Sequence, residues 1–213
     1  MDLAKMRLEY EAAGLAEADV ADDPFRQFDV WLTDAVEAEI HEPNAVVVST
    51  VDGNGQPWSR YVLLKAVDGR GFDFFTNYES NKSSQLADHP SGAMTFGWLE
   101  LHRQVNIAGP VERLAGEESD RYWAQRTRGS QLGGWASAQS SVLESRDQLM
   151  ARYDEIGKRF PNEVPRPPHW GGWRLVPHTV EFWQGRQNRL HDRLRYVRSG
   201  AHDHGWELLR LSP

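Results

Sequence analysis

The sequence predicts an α+β protein built on an antiparallel β-barrel with peripheral helices. At least six short apolar segments, rich in β-branched and aromatic residues, alternate with turns that contain glycine, as consecutive antiparallel strands do. Segments with apolar residues at helical spacing precede and interrupt these strands. Because a closed sheet has no unpaired edges, we expect the strands to form a barrel rather than an open sheet.

The first clear element is a helix that begins after Asp23 and runs to about Ile40. Asp23 is a typical N-cap residue, and Pro24 suits the first helical turn. Residues 3–18 are also helix-like but are rich in Glu and Ala, so we interpret residues 1–20 as a loosely held N-terminal arm. The apolar residues that recur at helical spacing after Asp23 are Phe25, Phe28, Leu32, Ala35 and Val36.

Strands then follow one another closely. An apolar run over 45–51 and a partner strand over 58–67 flank a turn at 52–55, in which Gly53 and Gly55 both accept positive φ. A second turn leads into a strand over 72–76, which predicts a three-stranded antiparallel meander. Further strands are predicted over 93–99, 104–114, 172–175, 180–184, 189–197 and 206–211, and helices over 80–88, 117–126 and 144–160.

The most informative feature is the pentapeptide that begins at Arg189. In a β-strand, the period of two places Arg189, His191 and Arg193 on one face, about 6 to 7 Å apart. Like charges in a row repel one another, so an anion or an electron-rich ring across them explains the pattern. The alternative is an exposed strand face with solvated charges.

Composition narrows the class of protein. The 213 residues fit a single domain over 1–213, and the net charge of −7 argues against a nucleic-acid binder. The absence of cysteine excludes disulfides and thiolate chemistry. The start of the chain lacks the apolar core of a signal peptide, and no run approaches a membrane span, so we expect a cytoplasmic protein with no membrane partner. The 9 Trp suit a pocket for a flat ligand.

Two polar clusters point to anion binding. Arg60 and Lys65 mark the ends of an apolar strand but have opposite parity, so both reach one ligand only if the strand has a bulge or if they bind different groups. The segment from Thr76 to Lys82 leads into a helix, whose free N–H groups, together with Lys82, suit a phosphate. A simple helix cap is the alternative for this second cluster.

Other candidate residues are weaker when taken alone. Tyr122 and Arg126 are four apart on a predicted helix and Ser130 follows it, which indicates either a polar site or a solvated face. The segment 139–141 suits contacts to a heterocycle or a cap of the next helix. No metal site is predicted, because no third ligand joins the histidines at 202 and 204.

Taken together, the motifs resemble the pyridoxamine 5′-phosphate oxidase family. They occur in register from about Tyr10 to Pro213, and their combination is far more specific than any one of them. The resemblance implies a split β-barrel flavoprotein, an FMN cofactor, and a homodimer whose two active sites are built from both subunits. The motifs are Arg60-Tyr61-Val62-Leu63-Leu64-Lys65, Phe75-Thr76-Asn77, Arg103-Gln104-Val105, Ser130-Gln131-Leu132-Gly133, Gln139-Ser140-Ser141, Trp170-Gly171-Gly172, Phe182-Trp183-Gln184-Gly185 and Arg189-Leu190-His191-Asp192-Arg193.

The resemblance also implies a role for individual residues. Arg189 and His191 would lie at the ring and reacting carbon of the substrate, and Arg7 and Tyr10 match an arm that covers the site. The substrate phosphate would be bound by Lys65, Tyr122, Arg126 and Ser130. The FMN contacts would be Arg60, Val62, Leu63, Lys65, Phe75, Thr76, Lys82, Gln104, Gln139, Ser140, Trp183 and Arg193.

The implied reaction oxidises pyridoxamine or pyridoxine 5′-phosphate to pyridoxal 5′-phosphate, with dioxygen reduced to hydrogen peroxide. Two departures from the family pattern affect the cofactor: Asn81 stands where many relatives have a basic residue, and Phe75 replaces a tyrosine found in some. One alternative is another split-barrel oxidoreductase that uses flavin or deazaflavin. The other is a non-catalytic protein that binds flavin or pyridoxal phosphate.

Overall fold

The structure is a computed structural model, and it describes residues 14–199 and 205–213. Within these residues the chain forms five α-helices and ten β-strands. The predicted α+β class is therefore confirmed. The helices are α1 (Pro24–Glu37), α2 (Asn81–Asp88), α3 (Gly116–Gln125), α4 (Arg128–Ala136) and α5 (Arg146–Arg159). The strands are β1 (Ala45–Val51), β2 (Pro57–Leu63), β3 (Ala66–Asp68), β4 (Gly71–Asn77), β5 (Ser91–Trp98), β6 (Arg103–Arg113), β7 (Trp170–Leu175), β8 (Thr179–Gln184), β9 (Asp192–Arg198) and β10 (Trp206–Arg210).

The strands form one curled antiparallel sheet, which agrees with the split β-barrel that the resemblance implies, although, among the described residues, β10 and β2 remain unpaired at the two ends of its main path. The main path runs β10-β9-β8-β6-β5-β1-β2. The long strand β6 joins two parts of the sheet, because it pairs with β8 over 103–108 and with β7 over 111–113. Strand β7 continues to β4, and β4 to β3. The curl encloses an aromatic core that includes Phe28, Trp31, Phe72, Phe96 and Phe182.

Helix α1 covers the barrel core and largely follows its prediction. The Asp23 carboxylate accepts hydrogen bonds from the backbone N–H groups of Phe25 and Arg26, as an N-cap does. The helix ends at Glu37, three residues earlier than predicted, and Val36 of the predicted stripe is exposed. The preceding residues 14–18 are not helical, so the predicted helix over 3–18 is wrong there, and its remainder lies outside the described residues.

The predicted meander is wrong in one important respect. The hairpin of β1 and β2 forms as expected, with Gly55 at a φ of 81°, but β2 ends at Leu63 rather than at residue 67. The buried Leu64 and the following Lys65 leave the ladder, and the backbone N–H of Lys65 donates to the carbonyl of Asp73. Consequently β3 pairs with β4. Because Lys65 lies between β2 and β3, strand alternation does not place its side chain on the face opposite Arg60.

The predicted strand over 189–197 is also wrong at its start. The chain forms a short 3₁₀ turn over Gln187–Arg189, and β9 begins only at Asp192. Asn188 and Arg189 both have positive φ, at 55° and 61°. Arg189, His191 and Arg193 therefore do not form a row on one strand face.

The described residues contain no helix long and apolar enough to cross a membrane. They also contain no group of three or more His, Cys, Asp or Glu side chains placed to hold a metal ion. The histidines at 202 and 204 lie outside the described residues.

Candidate active site

A cleft of about 450 Å³ opens where the ends of β2 and β4 meet α2, α3 and α4. An adjoining cavity of about 350 Å³ shares five of its lining residues and extends to Trp170. Nine of the predicted site residues line the cleft, although they come from distant parts of the sequence. They are Val62, Leu63, Lys65, Phe75, Thr76, Lys82, Tyr122, Arg126 and Ser130, and Gln139 is a tenth. Five of the ten, Phe75, Thr76, Arg126, Ser130 and Gln139, also line the adjoining cavity.

Arg60 does not itself line the cleft but lies near Lys82, which does, and it is held by neutral oxygen atoms. Its Nη1 donates to the Thr50 hydroxyl at 2.6 Å and to the carbonyls of Val48 and Trp58, each at 3.2 Å. Its Nη2 donates to the Gln85 Oε1 at 3.2 Å. Burial lowers the pKa of Arg60, but the guanidinium stays protonated because its usual pKa is far above neutrality.

Lys82 provides a second cation near Arg60. Its Nζ donates to Gln139 Oε1 at 2.8 Å, Thr76 Oγ1 at 3.0 Å and Ser80 Oγ at 3.2 Å. Burial, and then the charge of Arg60, lower the Lys82 pKa to about 8. Among the described residues, neither cation forms an ion pair with a carboxylate. Two neighbouring, half-buried cations without a counter-ion form a site suited to a dianion such as a phosphate.

This geometry predicts a pH dependence for phosphate binding. A bound dianion favours protonated Lys82, whose pKa in the free protein is about 8. Affinity for a phosphate ester such as FMN should thus be nearly constant around pH 7 and fall above pH 8, by up to about tenfold per pH unit. Fluorescence titrations with FMN from pH 7 to 10 would measure it. In Lys82→Arg the cation does not titrate in this range, so a fall of the same size in that variant would contradict the assignment.

The N-terminus of α2 and Ser140 lie next to Lys82. The backbone N–H of Asn81 donates to Ser140 Oγ at 3.2 Å, and Ser140 has a φ of 73°. The predicted cap of α5 at 139–141 is wrong, because Ser145 caps that helix instead. Gln139 and Ser140 lie beside Thr76 and Lys82. The two pairs are far apart in the sequence, so no local pattern predicts this contact.

The departure at Asn81 leads to a second prediction. Asn81 is exposed in the first turn of α2, next to Lys82. One more charge-assisted hydrogen bond there contributes about 1.5 to 3 kcal/mol when its geometry is good, and less at a wet site. We expect Asn81→Arg to tighten FMN binding about tenfold and to steepen its salt dependence. FMN titrations at two salt concentrations test this, with Asn81→Gln as the neutral control; unchanged or weaker binding would show that residue 81 points away from the phosphate.

A second part of the cleft is lined by basic and aromatic side chains. The Tyr122 ring stacks on Phe75, with centroids 4.2 Å apart, and the Lys65 ammonium lies 5.9 Å from the Tyr122 ring. The Arg126 guanidinium lies over Trp170 at 4.8 Å and donates from Nη2 to the carbonyl of Ser130 at 3.0 Å. This second basic group, Lys65 and Arg126, likewise has no carboxylate ion pair in the part of the chain that the structure describes.

Arg126 has an unusual environment within this pocket. It caps α3 in an extended conformation rather than continuing the helix, so the predicted shared helical face with Tyr122 is wrong. Burial lowers its pKa, and its Nε is buried without a hydrogen-bond partner. Helix α4, which the sequence did not predict, begins immediately afterwards and brings Ser130 beside it. A buried donor without a partner is costly, which is consistent with a bound anion as its partner.

The remaining predicted residues lie elsewhere, on the outer face of the sheet. Gln104 pairs directly with Trp183, and Trp183 with Arg193, so the three side chains share one face. Their neighbours in these strands, such as Phe182 and Leu194, are fully buried in the core on the opposite face. None of the three outer-face residues lines the cleft of the same chain.

His191 and Arg189 belong to this outer-face group. The imidazole of His191 packs on Trp183, with ring centroids 4.5 Å apart, and its Nδ1 accepts a hydrogen bond from the backbone N–H of Arg186 at 3.0 Å. The neutral ring therefore carries its proton on Nε2. Burial, and then the Arg189 charge, lower the pKa of His191, which keeps the ring neutral at pH 7. Arg189 is exposed in the 3₁₀ turn.

Sequence reasoning missed Glu181, which lies between two arginines on this face. Its carboxylate accepts from Arg193 Nε at 2.8 Å and from Arg195 Nη2 at 2.6 Å. Burial alone would raise its pKa, but these hydrogen bonds outweigh that effect and lower it. The sequence does contain a signal for Glu181: it lies two residues before Trp183 in one strand, so the two side chains lie on the same face. The predicted arm residues Arg7 and Tyr10 lie outside the described residues.

The chain is similar over nearly its whole length to proteins of one family. Residues 32–160 match the family model described as pyridoxamine 5′-phosphate oxidase, and residues 170–213 match the model of the pyridoxine 5′-phosphate oxidase C-terminal dimerisation region. Proteins named pyridoxine/pyridoxamine 5′-phosphate oxidase from Burkholderia multivorans and Burkholderia mallei are 55% and 54% identical over 211 residues, 99% of both chains in each case.

Two solved structures share the fold. PhzG from Burkholderia lata, crystallised with tetrahydrophenazine-1-carboxylic acid, is 32% identical with a TM-score of 0.88, and the match covers 96% of this chain and 100% of that one. A pyridoxamine 5′-phosphate oxidase-related, FMN-binding protein from Nostoc punctiforme has a TM-score of 0.73 at 16% identity, covering 91% of this chain and 100% of that one. The second likeness supports the split-barrel architecture alone.

Proposed function

The chain belongs to the pyridoxamine 5′-phosphate oxidase family, and on that premise we propose that it oxidises pyridoxamine or pyridoxine 5′-phosphate to pyridoxal 5′-phosphate in vitamin B6 synthesis and salvage. Dioxygen is the terminal acceptor and becomes hydrogen peroxide. One observation carries the proposal: two basic groups lie in or beside a single cleft, and neither group is neutralised by a carboxylate in the described chain. An acidic protein with two such groups suits two phosphorylated ligands.

FMN is the cofactor that these residues fit. Arg60, Lys82 and the first turn of α2 would hold its phosphate, because their only described acceptors are neutral oxygens. The strand end at Val62 and Leu63 would lie along the flavin. When bound, FMN supplies the two-electron acceptor that dioxygen reoxidises.

Residues of the chain position the substrate for this reaction. Lys65, Tyr122, Arg126 and Ser130 would bind the substrate phosphate, with Arg126 presenting its unpaired donor. Neutral His191 would lie at the substrate ring, and Arg189 would add a positive charge beside it. These two side chains orient the substrate carbon and assist loss of the proton that accompanies oxidation.

The cleft and the outer-face group belong to one site only if two chains combine. The outer face is continuous from Tyr61 through Val47 and Thr95 to Asn106 and Glu181, since each residue pairs directly with the next. Tyr61 is 77% exposed, which is unusual for a large aromatic side chain on a sheet. We infer a homodimer in which Gln104, Trp183 and Arg193 of one chain face the cleft of the other.

Subunit complementation tests this assembly. Arg126→Met alters the cleft and Arg189→Met alters the outer-face group, so each homodimer should have two damaged sites. After dissociation and random mixing, half of the dimers are heterodimers, and each has one intact site and one doubly altered site. Activity should rise to about one quarter of the wild-type value. Light scattering should show dimers in every sample.

A matched pair of variants provides the control. Arg126→Met and Tyr122→Phe both lie in the cleft of one chain, so their heterodimer has no intact site, and mixing should not raise activity. An active, FMN-loaded monomer, or no recovery in the first pair despite heterodimer formation, would contradict the composite site.

Product analysis tests the reaction itself. The purified protein, saturated with FMN, is supplied with pyridoxine 5′-phosphate or pyridoxamine 5′-phosphate in air. We expect one hydrogen peroxide for each pyridoxal 5′-phosphate formed, with ammonia released from the amine only. Flavin bound without turnover of either substrate would favour the non-catalytic alternative, and rapid oxidation of a nicotinamide would favour a flavin reductase.

The likeness to PhzG supports a second candidate, oxidation of an unphosphorylated tricyclic compound. The adjoining 350 Å³ cavity adds room beside the cleft for a larger ring system. The basic group of Lys65 and Arg126 instead favours a phosphorylated substrate. A larger kcat/KM for tetrahydrophenazine-1-carboxylic acid than for pyridoxine 5′-phosphate would select this candidate. For either reaction, we propose a cytoplasmic location, which suits the cysteine-free composition.

A further inference from the structure

We propose that Thr50 and Gln85 are positioning residues that hold Arg60 with neutral oxygens, so that its full charge remains available to the cofactor phosphate. The proposal rests on the proposed function, because it takes the anion at Arg60 and Lys82 to be the phosphate of FMN. Neither Thr50 nor Gln85 belongs to the residue set that the family resemblance implies.

The side chains of Thr50 and Gln85 form a buried chain of hydrogen bonds from the sheet to α2, which we call the relay. Thr50 is 2% exposed and Gln85 is 8% exposed. The Thr50 hydroxyl donates to Gln85 Oε1 at 2.6 Å and accepts from Arg60 Nη1, also at 2.6 Å. Gln85 Oε1 accepts a second hydrogen bond from Arg60 Nη2 at 3.2 Å. The guanidinium is thus held through both terminal nitrogens, which fixes its plane.

The neutral character of this arrangement sets Arg60 apart from the arginines that hold the fold together. Arg174 makes a bidentate ion pair with buried Asp73, at 2.7 and 2.8 Å, and Arg103 pairs with Asp34 at 2.6 Å. A carboxylate in such a pair neutralises most of the positive potential that a ligand would otherwise feel. The amide of Gln85 makes the same hydrogen bonds as a carboxylate would, without adding negative charge.

The location of Gln85 couples the two cations. It lies one turn after Lys82 on α2, so the helix that carries one cation also provides the acceptor that orients the other. Thr50 belongs to β1, the direct neighbour of β2, which carries Arg60. A buried contact between helix and sheet therefore links the positions of the two cations.

The test is to replace Gln85 by Glu, which keeps the shape and both acceptor bonds but adds a negative charge beside Arg60. FMN and riboflavin are titrated at low ionic strength, because riboflavin has the same ring without the phosphate. We expect the dissociation constant of FMN to rise at least tenfold and that of riboflavin to stay unchanged. Ser84→Glu is the matched control, because it adds the same charge to the exposed side of the same helix, and its effect on FMN should be much smaller.

A second pair of variants covers the case in which Gln85→Glu fails to fold. Thr50→Val removes the hydroxyl from the relay and should weaken FMN several-fold without affecting riboflavin, whereas Thr50→Ser keeps the hydroxyl and should restore FMN binding. Equal weakening of FMN and riboflavin binding would show a merely structural role. Unchanged FMN affinity in Gln85→Glu or Thr50→Val would show that the relay does not affect phosphate binding. Either result overturns the proposal. Failure of the wild-type protein to bind FMN would instead refute the proposed function, and this inference with it.

Discussion

Replacement of Arg189 by Met is expected to lower kcat/KM for pyridoxine 5′-phosphate about 100-fold, a loss of ~2.7 kcal/mol of transition-state stabilisation. Arg189 has a φ of 61°, a conformation that bulky residues rarely adopt, and strained backbone of this kind clusters at functional sites. Its guanidinium makes no ion pair with a carboxylate in the described ranges. The charge is thus available to the substrate, and steady-state kinetics would measure its contribution.

Arg193→Met is the matched control for this substitution. Arg193 lies beside Trp183 on the outer face and is held by Glu181 at 2.8 Å. We expect this variant to lose FMN, while Arg189→Met keeps its yellow colour and its FMN affinity. Equal loss of flavin in the two variants would contradict the division between a substrate-binding turn and a cofactor-binding strand.

The second large effect is expected at Arg126. Arg126→Met should raise the KM for pyridoxine 5′-phosphate about 100-fold, because a charge-assisted contact to a phosphate in a half-buried pocket contributes up to ~3 kcal/mol. Methionine retains an unbranched apolar side chain against Trp170, so the packing at 4.8 Å should largely survive. Steady-state kinetics at saturating FMN would measure the change.

Unphosphorylated pyridoxine separates binding from folding in this experiment. If Arg126 contacts the phosphate, the wild-type protein and the variant should oxidise pyridoxine at similar, slow rates. An equal loss of kcat/KM for both substrates would show that the substitution damages the pocket rather than the phosphate contact.

Much of the sheet could be predicted because its signals are local. The apolar β-branched run and the turn at 52–55 predict the hairpin of β1 and β2, apart from the end of β2, and Asp23 with Pro24 predicts the start of α1. The cleft residues were predicted as well, but through the resemblance to a family. No spacing in the sequence indicates that Gln139 contacts Thr76, 63 positions away.

Three features could not be read from local patterns because tertiary contacts determine them. The break after Leu63 accompanies a long-range backbone hydrogen bond from Lys65 to Asp73, next to the pairing of β3 with β4. The 3₁₀ turn before β9 depends on two positive φ angles at non-glycine residues. Helix α4 contains Gly133 and Gly134, which lower helix propensity, and it is held by packing of Leu132 in a small aromatic cluster.

The ion-pair and hydrogen-bond partners of the site arginines could not be predicted from the sequence either. In a regular strand, Arg189 and Arg193 would lie on the same face. In the structure Arg189 lies in a 3₁₀ turn, and Arg193 forms an ion pair with Glu181. Likewise, Arg60 was predicted as a cofactor contact, but its buried partners Thr50 and Gln85 carry no sequence signal of their own. Such pairs depend on which helix packs against which strand, and that packing is not encoded in a short motif.

Anaerobic reduction by substrate is the most direct measurement of the proposed activity. The protein is loaded with FMN, freed of oxygen and mixed with pyridoxine 5′-phosphate, while absorption is followed at about 450 nm, where oxidised flavins absorb. The proposed function predicts rapid bleaching with formation of pyridoxal 5′-phosphate, and return of the yellow colour when air is admitted. A protein that takes up FMN but stays fully yellow with both phosphorylated vitamers, or one that takes up no FMN, would contradict it.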